Sequence, residues 1–466
     1  MQFERVDIDL LRKYNEPGPR YTSYPTAPLF AESFGPDDFA REIDESNVSQ
    51  RERPLSLYFH IPFCDELCYF CGCTMLVTRD MDKKEKYLSY LDREIDRVAA
   101  RLDGGREVVQ LHWGGGTPTD LSPEQIARLG ARIRERFRFA TGGSDACEVS
   151  CEIDPRGLTR EHLAALRGAG FNRVSMGVQD FDPKVQEAVN RIQPEGVTRD
   201  AVRWSRELGF ESVNLDFIYG LPHQTLDGFA STIDKIVDVS PDRIAIFNFA
   251  FVPWLKRHQK QLIDPDALPA PEARLEILKM TIEKLSAAGY VYIGMDHFAK
   301  PDDELTVAQK EGTLHRNFQG YSTKAGCDLY AFGMSGISQL DGVYAQNHKK
   351  LSAYYGALDA GKLPTRAGYR LDADDKLRRE VITRLMCDMA LDKGAIERRF
   401  GIAFDEYFAD SIAKLGRFTD DELLVARPGG YDVTAMGRLV IRNIAMCFDR
   451  YLDDMRGDKP LFSRTV

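Results

Sequence analysis

The sequence predicts an α/β fold in which parallel strands form a partial (β/α)6 or larger barrel, followed by a mostly helical, winged-helix-like C-terminal domain. From residue 55 onward, short β-rich runs alternate with longer amphipathic helical patterns, as in repeated β–helix–β units joined by right-handed crossovers. Beyond about residue 371 helical patterns dominate, interrupted by a hairpin-like run with a Pro-Gly-Gly turn. A doubly wound open sheet is the structural alternative.

The elements of the repeat are expected where apolar runs of strand or helix period lie between turn signals. The predicted strands are Leu55–Ile61, Val108–Trp113, Cys147–Ile153, Arg173–Gln179, Val213–Tyr219 and Ile244–Phe251. The predicted helices are Lys83–Leu102, Pro123–Phe137, Arg160–Gly168, Gly196–Leu208 and Leu226–Val237. Six such units favour a barrel that ends after about Tyr290–Asp296.

The chain has 466 residues, which exceeds the usual length of one domain. We expect an N-terminal segment that covers the active site (1–54), the barrel (55–300), a connecting region (301–370) and the C-terminal helical domain (371–466). The carboxyl ends of parallel strands meet at one edge, so the polar residues that end these strands are expected to form one site there.

Composition excludes several classes of function. A net charge of −10 disfavours a general binder of nucleic-acid backbones, which needs dense Lys and Arg surfaces. The N-terminus lacks the continuous apolar stretch of a signal peptide, so we expect a cytoplasmic protein. The longest apolar stretch, Ile244–Leu255, is too short to cross a bilayer, which needs about 20 residues.

The strongest chemical signal is a cysteine loop. Four of the nine cysteines lie between Cys64 and Cys73, which indicates a metal or redox site rather than a disulfide framework. Cys64, Cys68 and Cys71 follow the spacing CxxxCxxC. Three thiolates on one short loop can hold three irons of a [4Fe–4S] cluster and leave the fourth iron open to a small molecule. Zinc is the alternative, although zinc sites favour paired CxxC or Cys/His spacings.

Further polar residues stand at the ends of predicted strands. The glycine run of HWGGGTPT can approach a ligand closely, or form an ordinary tight turn. Glu152 can accept hydrogen bonds from ribose hydroxyls, or cap a helix or face solvent. Gln179 and Asp216 lie in otherwise apolar strands, where a buried polar group needs a partner. That partner is either a ligand or an internal hydrogen bond.

These motifs carry a family resemblance. The cysteine loop, with an aromatic residue before its last cysteine, resembles the signature loop of radical S-adenosylmethionine (SAM) enzymes, whose open iron chelates SAM. A set of wider segments resembles the oxygen-independent coproporphyrinogen III oxidase (dehydrogenase) family, from about Tyr14 to the C-terminus. These segments are GPRYTSYPTA, LYFHIPFCDELCYFCGC, HWGGGTPT, GVQDF, IYGLP, GMDHFA, HRNFQGY and IRNIAMCFDRYL.

The resemblance implies a radical SAM barrel with a [4Fe–4S] cluster on Cys64, Cys68 and Cys71, and two SAM molecules per full reaction. The implied contacts to the first SAM are Tyr58, Phe70, Gly115, Gly116, Thr117, Glu152, Gln179, Arg191, Asp216 and Ala250. Phe318, Gln319 and Ile337 resemble positions that contact a second SAM, so region 301–370 is expected to serve substrate and second SAM.

Two further assignments follow from the resemblance. Cys73 is implied as a catalytic residue close to the cluster without being its ligand, whereas an inert core cysteine is the alternative. The family's substrate carries four propionates, which Arg binds well, and Arg20 and Arg316 are the candidate cations. Surface ion pairs are the alternative for these two arginines.

The implied reaction is the anaerobic step of haem biosynthesis that oxidatively decarboxylates two propionates of coproporphyrinogen III to vinyl groups, giving protoporphyrinogen IX. An external low-potential electron donor such as flavodoxin or ferredoxin is implied, and we expect a monomer. A haem chaperone of the same fold is one alternative, although such relatives usually lack a cysteine at position 73. A regulator that uses the C-terminal domain is another, but residues 371–466 hold 16 Lys and Arg against 18 Asp and Glu, unlike a DNA reader.

Overall fold

The computed structural model describes residues 6–142, 146–455 and 461–465. Within these residues the strands are β1 Leu55–Ile61, β2 Phe63–Cys64, β3 Leu76–Val77, β4 Glu107–Gly115, β5 Arg138–Phe139, β6 Glu148–Ile153, β7 Arg173–Gln179, β8 Ser212–Tyr219, β9 Arg243–Asn248, β10 Val291–Gly294, β11 His297–Ala299, β12 His315–Asn317, β13 Gly320–Ser322, β14 Asp328–Phe332, β15 Ile337–Leu340, β16 Val343–Asn347, β17 Thr365–Arg370, β18 Ala390–Asp392, β19 Leu424–Arg427 and β20 Gly430–Val433. The helices are α1 Ile8–Tyr14, α2 Pro36–Ser49, α3 Met81–Ala99, α4 Pro123–Arg136, α5 Arg160–Gly168, α6 Pro183–Ala188, α7 Glu195–Glu207, α8 Leu226–Val239, α9 Arg257–Leu262, α10 Pro271–Ala287, α11 Glu304–Glu311, α12 Leu351–Asp359, α13 Ala373–Asp388, α14 Lys393–Phe400, α15 Phe404–Tyr407, α16 Ala409–Asp420, α17 Ala435–Leu439 and α18 Ile441–Met446. Parts of the predicted terminal regions, at 1–5, 456–460 and 466, lie outside the described residues.

One large sheet organises the protein, as the fold class predicts. Its strands run in the order β10-β11-β9-β8-β7-β6-β4-β1-β14-β15-β16-β17. Every pair from β9 to β14 along this path is parallel, and helices lie between successive parallel strands in the chain. The sheet is therefore built from the predicted βα repeat.

The last predicted strand of the repeat ends earlier than expected. We predicted Ile244–Phe251, but β9 ends at Asn248. The chain then turns locally, with the Phe251 N–H donating to the Phe249 carbonyl at 3.1 Å, so the following residues leave the ladder. The segment after β9 is thereby free to pass over the cysteine loop.

Region 301–370 extends the same sheet. β14 lies parallel to β1, and β15, β16 and β17 follow it as antiparallel strands. The N-terminal segment joins this edge through a bridge between Ala31 and Gly368, and it meets the C-terminus through a bridge between Pro17 and Arg464. The four-part division of the chain remains a proposal.

The two faces of β1 differ in character, which explains where the core and the site lie. Leu57, Phe59 and Ile61 are fully buried on one face, and Phe59 stacks on Phe332 with ring centroids 4.6 Å apart. The alternating residues on the other face are polar, because successive side chains of a strand point to opposite faces. Ser56 on that face donates to Gln110 at 2.8 Å. The inner face of the sheet is therefore a polar interior.

The C-terminal domain is mainly helical, as predicted, and carries a small antiparallel sheet of β18, β20 and β19. Its β19–β20 hairpin contains the predicted Pro-Gly-Gly turn, in which Gly429 adopts a positive φ of 82°. Across the described ranges, none of the helices is both long and apolar enough to span a bilayer.

Candidate active site

The cysteine loop is anchored at both ends to the carboxyl edge of the sheet. It begins directly after β1, and β2 and β3 close it by pairing in parallel. The Leu76 N–H donates to the Pro62 carbonyl at 2.7 Å, and Cys64 Sγ lies 3.6 Å from Thr117 Oγ1. The loop therefore lies beside the glycine turn that follows β4.

Two arginines contact the middle cysteine. Arg156 Nη2 lies 3.3 Å from Cys68 Sγ, and Arg191 Nη1 lies 3.6 Å from the same sulfur. Asp154 accepts from both guanidinium groups, at 2.9 Å from Arg156 and 2.5 Å from Arg191. Cys68 is therefore buried between two guanidinium groups that can donate to a metal-bound sulfur.

Side chains of the segment after β9 hold the backbone carbonyls at the end of the cysteine loop. Lys256 Nζ donates to the Gly72 carbonyl at 2.5 Å, and a ring nitrogen of His258 lies 2.8 Å from the Cys71 carbonyl. Gln259 donates to the Phe70 carbonyl at 3.0 Å. Sequence reasoning missed Arg156, Lys256, His258 and Gln259, because single polar residues carry no spacing signal.

The thiols of Cys64, Cys71 and Cys73 differ in acidity. Burial raises the pKa of Cys64 to about 12. The pKa of Cys71 is lowered to about 6, chiefly by a side-chain hydrogen bond from Cys73. The pKa of Cys73 is raised by the same interaction and by burial, although the side chain remains accessible from inside the fold. Cys73 thus faces the interior beside the predicted ligand Cys71.

The donor set of the cysteine loop fits an iron–sulfur cluster by its chemistry. Among the described residues, no three His, Cys, Asp or Glu side chains are grouped closely enough to hold one metal ion. Three cysteines nevertheless occupy one anchored loop, where arginine and threonine side chains approach two of the sulfurs. Cysteine thiolates are the ordinary ligands of such clusters.

The glycine turn requires glycine for packing. A Cβ on Gly114 would lie 2.9 Å from the Glu152 carboxyl group, and one on Gly116 would lie 2.6 Å from the Phe63 carbonyl oxygen. Gly115 has a positive φ of 119°, and a Cβ there would meet the His60 ring at 2.6 Å. The turn therefore presses its backbone against both the cysteine loop and the polar interior.

Glu152 faces an internal cavity. Its side chain is 46% accessible although protein surrounds it, and it accepts from the Gly115 N–H at 3.0 Å. Burial alone would raise its pKa, but His112 and the Gly115 N–H outweigh that effect and hold the pKa below its usual value. A carboxylate with free lone pairs thus points into the cavity, as a ribose contact requires.

Asp216 and Gln179 differ in their partners. Asp216 accepts from Ser175 at 2.9 Å and from Asn214 at 2.7 Å, so it has the internal hydrogen bonds that the sequence left open. Burial raises its pKa to about 6. Gln179 has a positive φ of 72°, and its side chain makes no hydrogen bond to any described residue. A non-glycine residue in that conformation at a strand end is typical of a functional site.

The remaining predicted contacts surround the same interior. Tyr58 stacks on His112 with ring centroids 5.9 Å apart, and its hydroxyl lies 3.1 Å from His60. Phe70 belongs to the cysteine loop, and Ala250 accepts from Gln259 at 3.2 Å. The structure therefore places Tyr58, Phe70, Gly115, Gly116, Thr117, Glu152, Gln179, Arg191, Asp216 and Ala250 around the carboxyl edge of the parallel strands.

The predicted second-SAM positions lie on the later strands. Phe318 and Gln319 form the turn between β12 and β13, and Ile337 begins β15. Phe318 packs edge-on against Tyr344 at 5.8 Å between ring centroids. Gln319 Nε2 is enclosed and has no hydrogen-bond partner among the described residues. Such an unsatisfied buried donor is costly unless a ligand completes it.

Arg316 lies on β12, two residues before Phe318, and contacts Arg20. Arg20 pairs with Asp296 at 3.0 Å, and Arg316 Nε donates to the Arg20 carbonyl at 3.4 Å. Arg442, which is 5% exposed, donates only to backbone carbonyls, and burial and the neighbouring Arg20 lower its pKa to about 9. Of these three arginines in a largely buried region, only Arg20 forms an ion pair with a described carboxylate.

Comparisons with known proteins agree with this geometry. Residues 58–236 match the model of the radical SAM superfamily, and residues 371–440 match that of the HemN C-terminal domain. The oxygen-independent coproporphyrinogen III oxidase of Escherichia coli is 48% identical over 468 residues, covering 100% of both chains. The enzyme of that name from Synechocystis is 47% identical over 462 residues, covering 98% of this chain and 97% of the relative.

A solved structure extends the similarity to three dimensions. The coproporphyrinogen III oxidase (HemN) of Escherichia coli, described as a radical SAM enzyme, superimposes with a TM-score of 0.91 at 46% identity. The superposition covers 97% of this chain and 100% of that one. The similarity therefore includes the barrel, the later strands and the C-terminal domain together.

Proposed function

The chain belongs to the oxygen-independent coproporphyrinogen III oxidase family of radical SAM enzymes, which use a [4Fe–4S] cluster and SAM, and we propose on that premise how its own residues perform the reaction. The substrate is coproporphyrinogen III, and the product is protoporphyrinogen IX. In each of two rounds, a propionate loses a hydrogen atom from its β-carbon, and the resulting substrate radical loses CO₂ and passes one electron to an external one-electron acceptor, which leaves a vinyl group.

One observation carries the proposal: an anchored loop of three cysteines opens onto a polar cavity at the carboxyl edge of the parallel strands. When bound, the cluster supplies the electron that cleaves SAM to methionine and a 5′-deoxyadenosyl radical. Cys64, Cys68 and Cys71 hold the cluster in this proposal. Arg156 and Arg191 donate to the Cys68 sulfur, and the segment after β9 fixes the loop backbone.

The cavity residues orient SAM. Glu152 is ionised and held by the Gly115 N–H, so its free lone pairs accept from the ribose hydroxyls. Gln179 supplies an amide without internal partners, whereas Asp216 is oriented by Ser175 and Asn214. Gln319, with its unpartnered Nε2, contacts the second SAM together with Phe318 and Ile337. Cys73 acts beside the cluster on the substrate side.

Arg20 and Arg316 bind substrate carboxylates. Arg316 is 8% exposed, forms no ion pair with any described residue, and leaves Nη1 without a partner. A buried cation without a counter-ion is unfavourable, and a propionate would supply the missing charge through a bidentate pair. The proposal thereby accounts for cationic groups inside a protein whose net charge is −10.

The remaining components are external. We infer that the protein works in the cytoplasm as a monomer and receives electrons from a low-potential donor such as flavodoxin or ferredoxin. Exclusion of water from the interior protects the radical steps from competing hydrogen donors. Haem delivery by the same fold is the competing function, and Cys73 favours the oxidase.

The test is anaerobic incubation of the reconstituted protein with SAM, reductant and coproporphyrinogen III, followed by analysis of the oxidised porphyrins. The proposal predicts protoporphyrin from the wild type and none when SAM is omitted. Tight haem binding without any conversion of coproporphyrinogen III would favour the chaperone instead.

A further inference from the structure

A second cavity lies at the end of the barrel opposite the cysteine loop. It has a volume of about 320 Å³ and is lined by the N-terminal segment, the β15–β16 turn and helix α13. Two of its lining residues lie at the amino ends of parallel strands: Arg53 is two residues before β1, and Cys327 directly precedes β14. Cys64 follows the other end of β1, which spans seven residues, or about 20 Å at 3.3 Å per residue.

The lining of this cavity is strongly cationic. It contains Arg53, Arg316, Arg379, Arg384 and Arg399. The carboxylates in the lining are Asp341 and Glu380, so five arginines stand against two acids, an excess of three positive charges. This excess is local, because the whole chain has a net charge of −10.

Both acids are already paired. Asp341 accepts from Arg53 at 2.9 Å and from Lys376 at 3.0 Å. Glu380 pairs with Arg399 at 2.8 Å and with Arg384 at 3.5 Å. Two further carboxylates that contact these arginines, Asp328 and Asp388, lie outside the lining. The cavity itself therefore holds no unpaired carboxylate among its described lining residues.

The buried groups of the lining lack partners. Arg316 is more than nine-tenths buried, and its Nη1 has no hydrogen bond to any described residue. The carbonyl Oε1 of Gln339 is likewise buried and unpartnered. His315 in the same lining has its pKa lowered to about 4 by burial and by Arg384, Arg379 and Arg53.

The cavity adjoins the polar interior in which SAM is proposed to bind. Gln339 lines the cavity, and Ile337 lies two residues earlier on β15, on the same face of the strand. Ile337 is the position assigned above to the second SAM. A ligand that fills the cavity can therefore continue along β15 toward the SAM end of the interior.

We propose that this arginine cavity binds the two propionates of the tetrapyrrole that the reaction leaves intact. The inference rests on the proposed function, because it concerns the substrate of that reaction. A propionate that reacts must lie near SAM at the cysteine end, whereas the two retained carboxylates project from another part of the same macrocycle. Guanidinium groups are the favoured bidentate partners of carboxylates. The unpartnered Oε1 of Gln339 can accept from a pyrrole N–H.

The test uses the double variant Arg379→Ala/Arg399→Ala, in which Arg316 and the ion pair of Arg53 with Asp328 remain intact. Arg399 has a side chain that is 62% exposed and pairs only with Glu380, and Arg379 donates to the Asp341 carbonyl, so the fold should persist. Arg398→Ala is the matched control, since Arg398 lies on α14 beside Arg399 and does not line the cavity. Thermal unfolding and SAM cleavage without substrate verify that each variant is intact.

Porphyrin titration by fluorescence gives the readout. The double variant should bind coproporphyrin III and protoporphyrin IX at least tenfold more weakly than the wild type, and its KM for coproporphyrinogen III should rise similarly with little change in kcat. Protoporphyrin IX carries only the two retained carboxylates, so its affinity identifies which pair the arginines hold. Binding of coproporphyrin tetramethyl ester should not change.

Several outcomes would overturn the inference. Unchanged affinity of the folded double variant for protoporphyrin IX would mean that the arginines do not hold the retained carboxylates. An equal loss for the tetramethyl ester would point to shape rather than charge. Loss of inorganic phosphate binding alone would make the cavity a free-anion site. Failure of the proposed function is distinguishable, because it would show as absence of product from the wild type, while the titration needs no turnover.

Discussion

The guanidinium Nη2 of Arg156 lies 3.3 Å from the Sγ of Cys68. A cation at this distance stabilises additional negative charge on a cluster held by that sulfur, and hydrogen bonds to cluster sulfurs set reduction potentials. We expect Arg156→Gln to keep its iron but to shift the midpoint potential negative by on the order of 60 mV, a tenfold change for one electron. A redox titration followed by EPR measures this shift.

The control for this prediction is Arg160→Gln. Arg160 is 53% exposed and pairs with Glu207 at 3.6 Å, away from the cysteine loop. The midpoint potential of the cluster in Arg160→Gln should match that of the wild type. An unchanged potential in a fully loaded Arg156→Gln protein would show that the arginine does not act on the cluster.

Cys73 separates the proposed chemistry from generic cluster binding. Three cysteines suffice for the cluster, so Cys73→Ser should retain normal iron content and cluster spectra and yet form no protoporphyrinogen IX. Alanine at Cys64, Cys68 or Cys71 should instead abolish the cluster and SAM cleavage together. Iron analysis and porphyrin analysis of the same preparations distinguish these results.

Cys447→Ser is the matched control, since Cys447 is a free cysteine of the C-terminal region whose Sγ lies 3.7 Å from the Asn443 carbonyl, a contact that a serine hydroxyl can keep. It should retain both iron and turnover. Full turnover of Cys73→Ser would make Cys73 a packing residue, and loss of its iron would make it a ligand; either result contradicts the assignment.

Glu152 is predicted to serve SAM rather than the fold. Glu152→Ala removes the acceptor of the Gly115 N–H and the cavity carboxylate, but creates no clash, because the side chain faces a cavity. We expect at least a tenfold loss in SAM affinity, or about 1.4 kcal/mol, with nearly unchanged iron content and thermal midpoint. Equilibrium dialysis with labelled SAM measures the affinity. A large loss of stability at unaltered affinity would return Glu152 to a structural role.

Much of the fold follows from local sequence patterns. β1 and β7 lie at their predicted bounds, because each is a short apolar run between turn residues, and α5 also begins and ends as predicted. β14–β17 were not predicted. Their residues, such as those of AFGMSGIS, are small and mixed, and the pairing of β14 with β1 joins segments more than 260 residues apart. No local pattern encodes a partner at that separation.

The site residues likewise divide into those that the sequence pattern identifies and those that only the fold brings together. The cysteine loop is contiguous, so its spacing identifies it directly. The groups that hold it, such as Arg156 in the turn after β6 and His258 on α9, come from separate segments, and only the folded sheet edge brings them together. The arginine cavity is assembled from segments spread between Tyr21 and Arg399, and Arg316 is the one of its arginines that the sequence analysis singled out.

Glu94 couples stability to pH. It is 2% exposed and accepts from Gly333 N–H, Asn347 and Tyr354, with Tyr87 as the other nearby titratable group. Burial raises its pKa to about 7. The native state then holds a proton that the unfolded chain releases near 4.5. The contribution of Glu94 to the free energy of unfolding is therefore complete below pH 4.5. It falls by about 3 kcal/mol as the pH rises through 7.

Glu94→Gln should remove this pH dependence. Between pH 5 and pH 8, the free energy of unfolding of the wild type should fall relative to that of Glu94→Gln, as measured by urea denaturation. Glu311→Gln, at an exposed position on α11, should follow the wild type. Parallel pH profiles for wild type and Glu94→Gln would contradict the assignment.

The central claim is that each tetrapyrrole loses two carboxyl groups in SAM-dependent rounds. The most direct measurement is the stoichiometry of an anaerobic reaction with carboxyl-labelled coproporphyrinogen III, counting labelled CO₂, 5′-deoxyadenosine and protoporphyrinogen IX. We predict two CO₂ and at least two 5′-deoxyadenosine molecules for each protoporphyrinogen IX, and no CO₂ from Cys73→Ser. Formation of 5′-deoxyadenosine without release of labelled CO₂ by the wild type would contradict the claim.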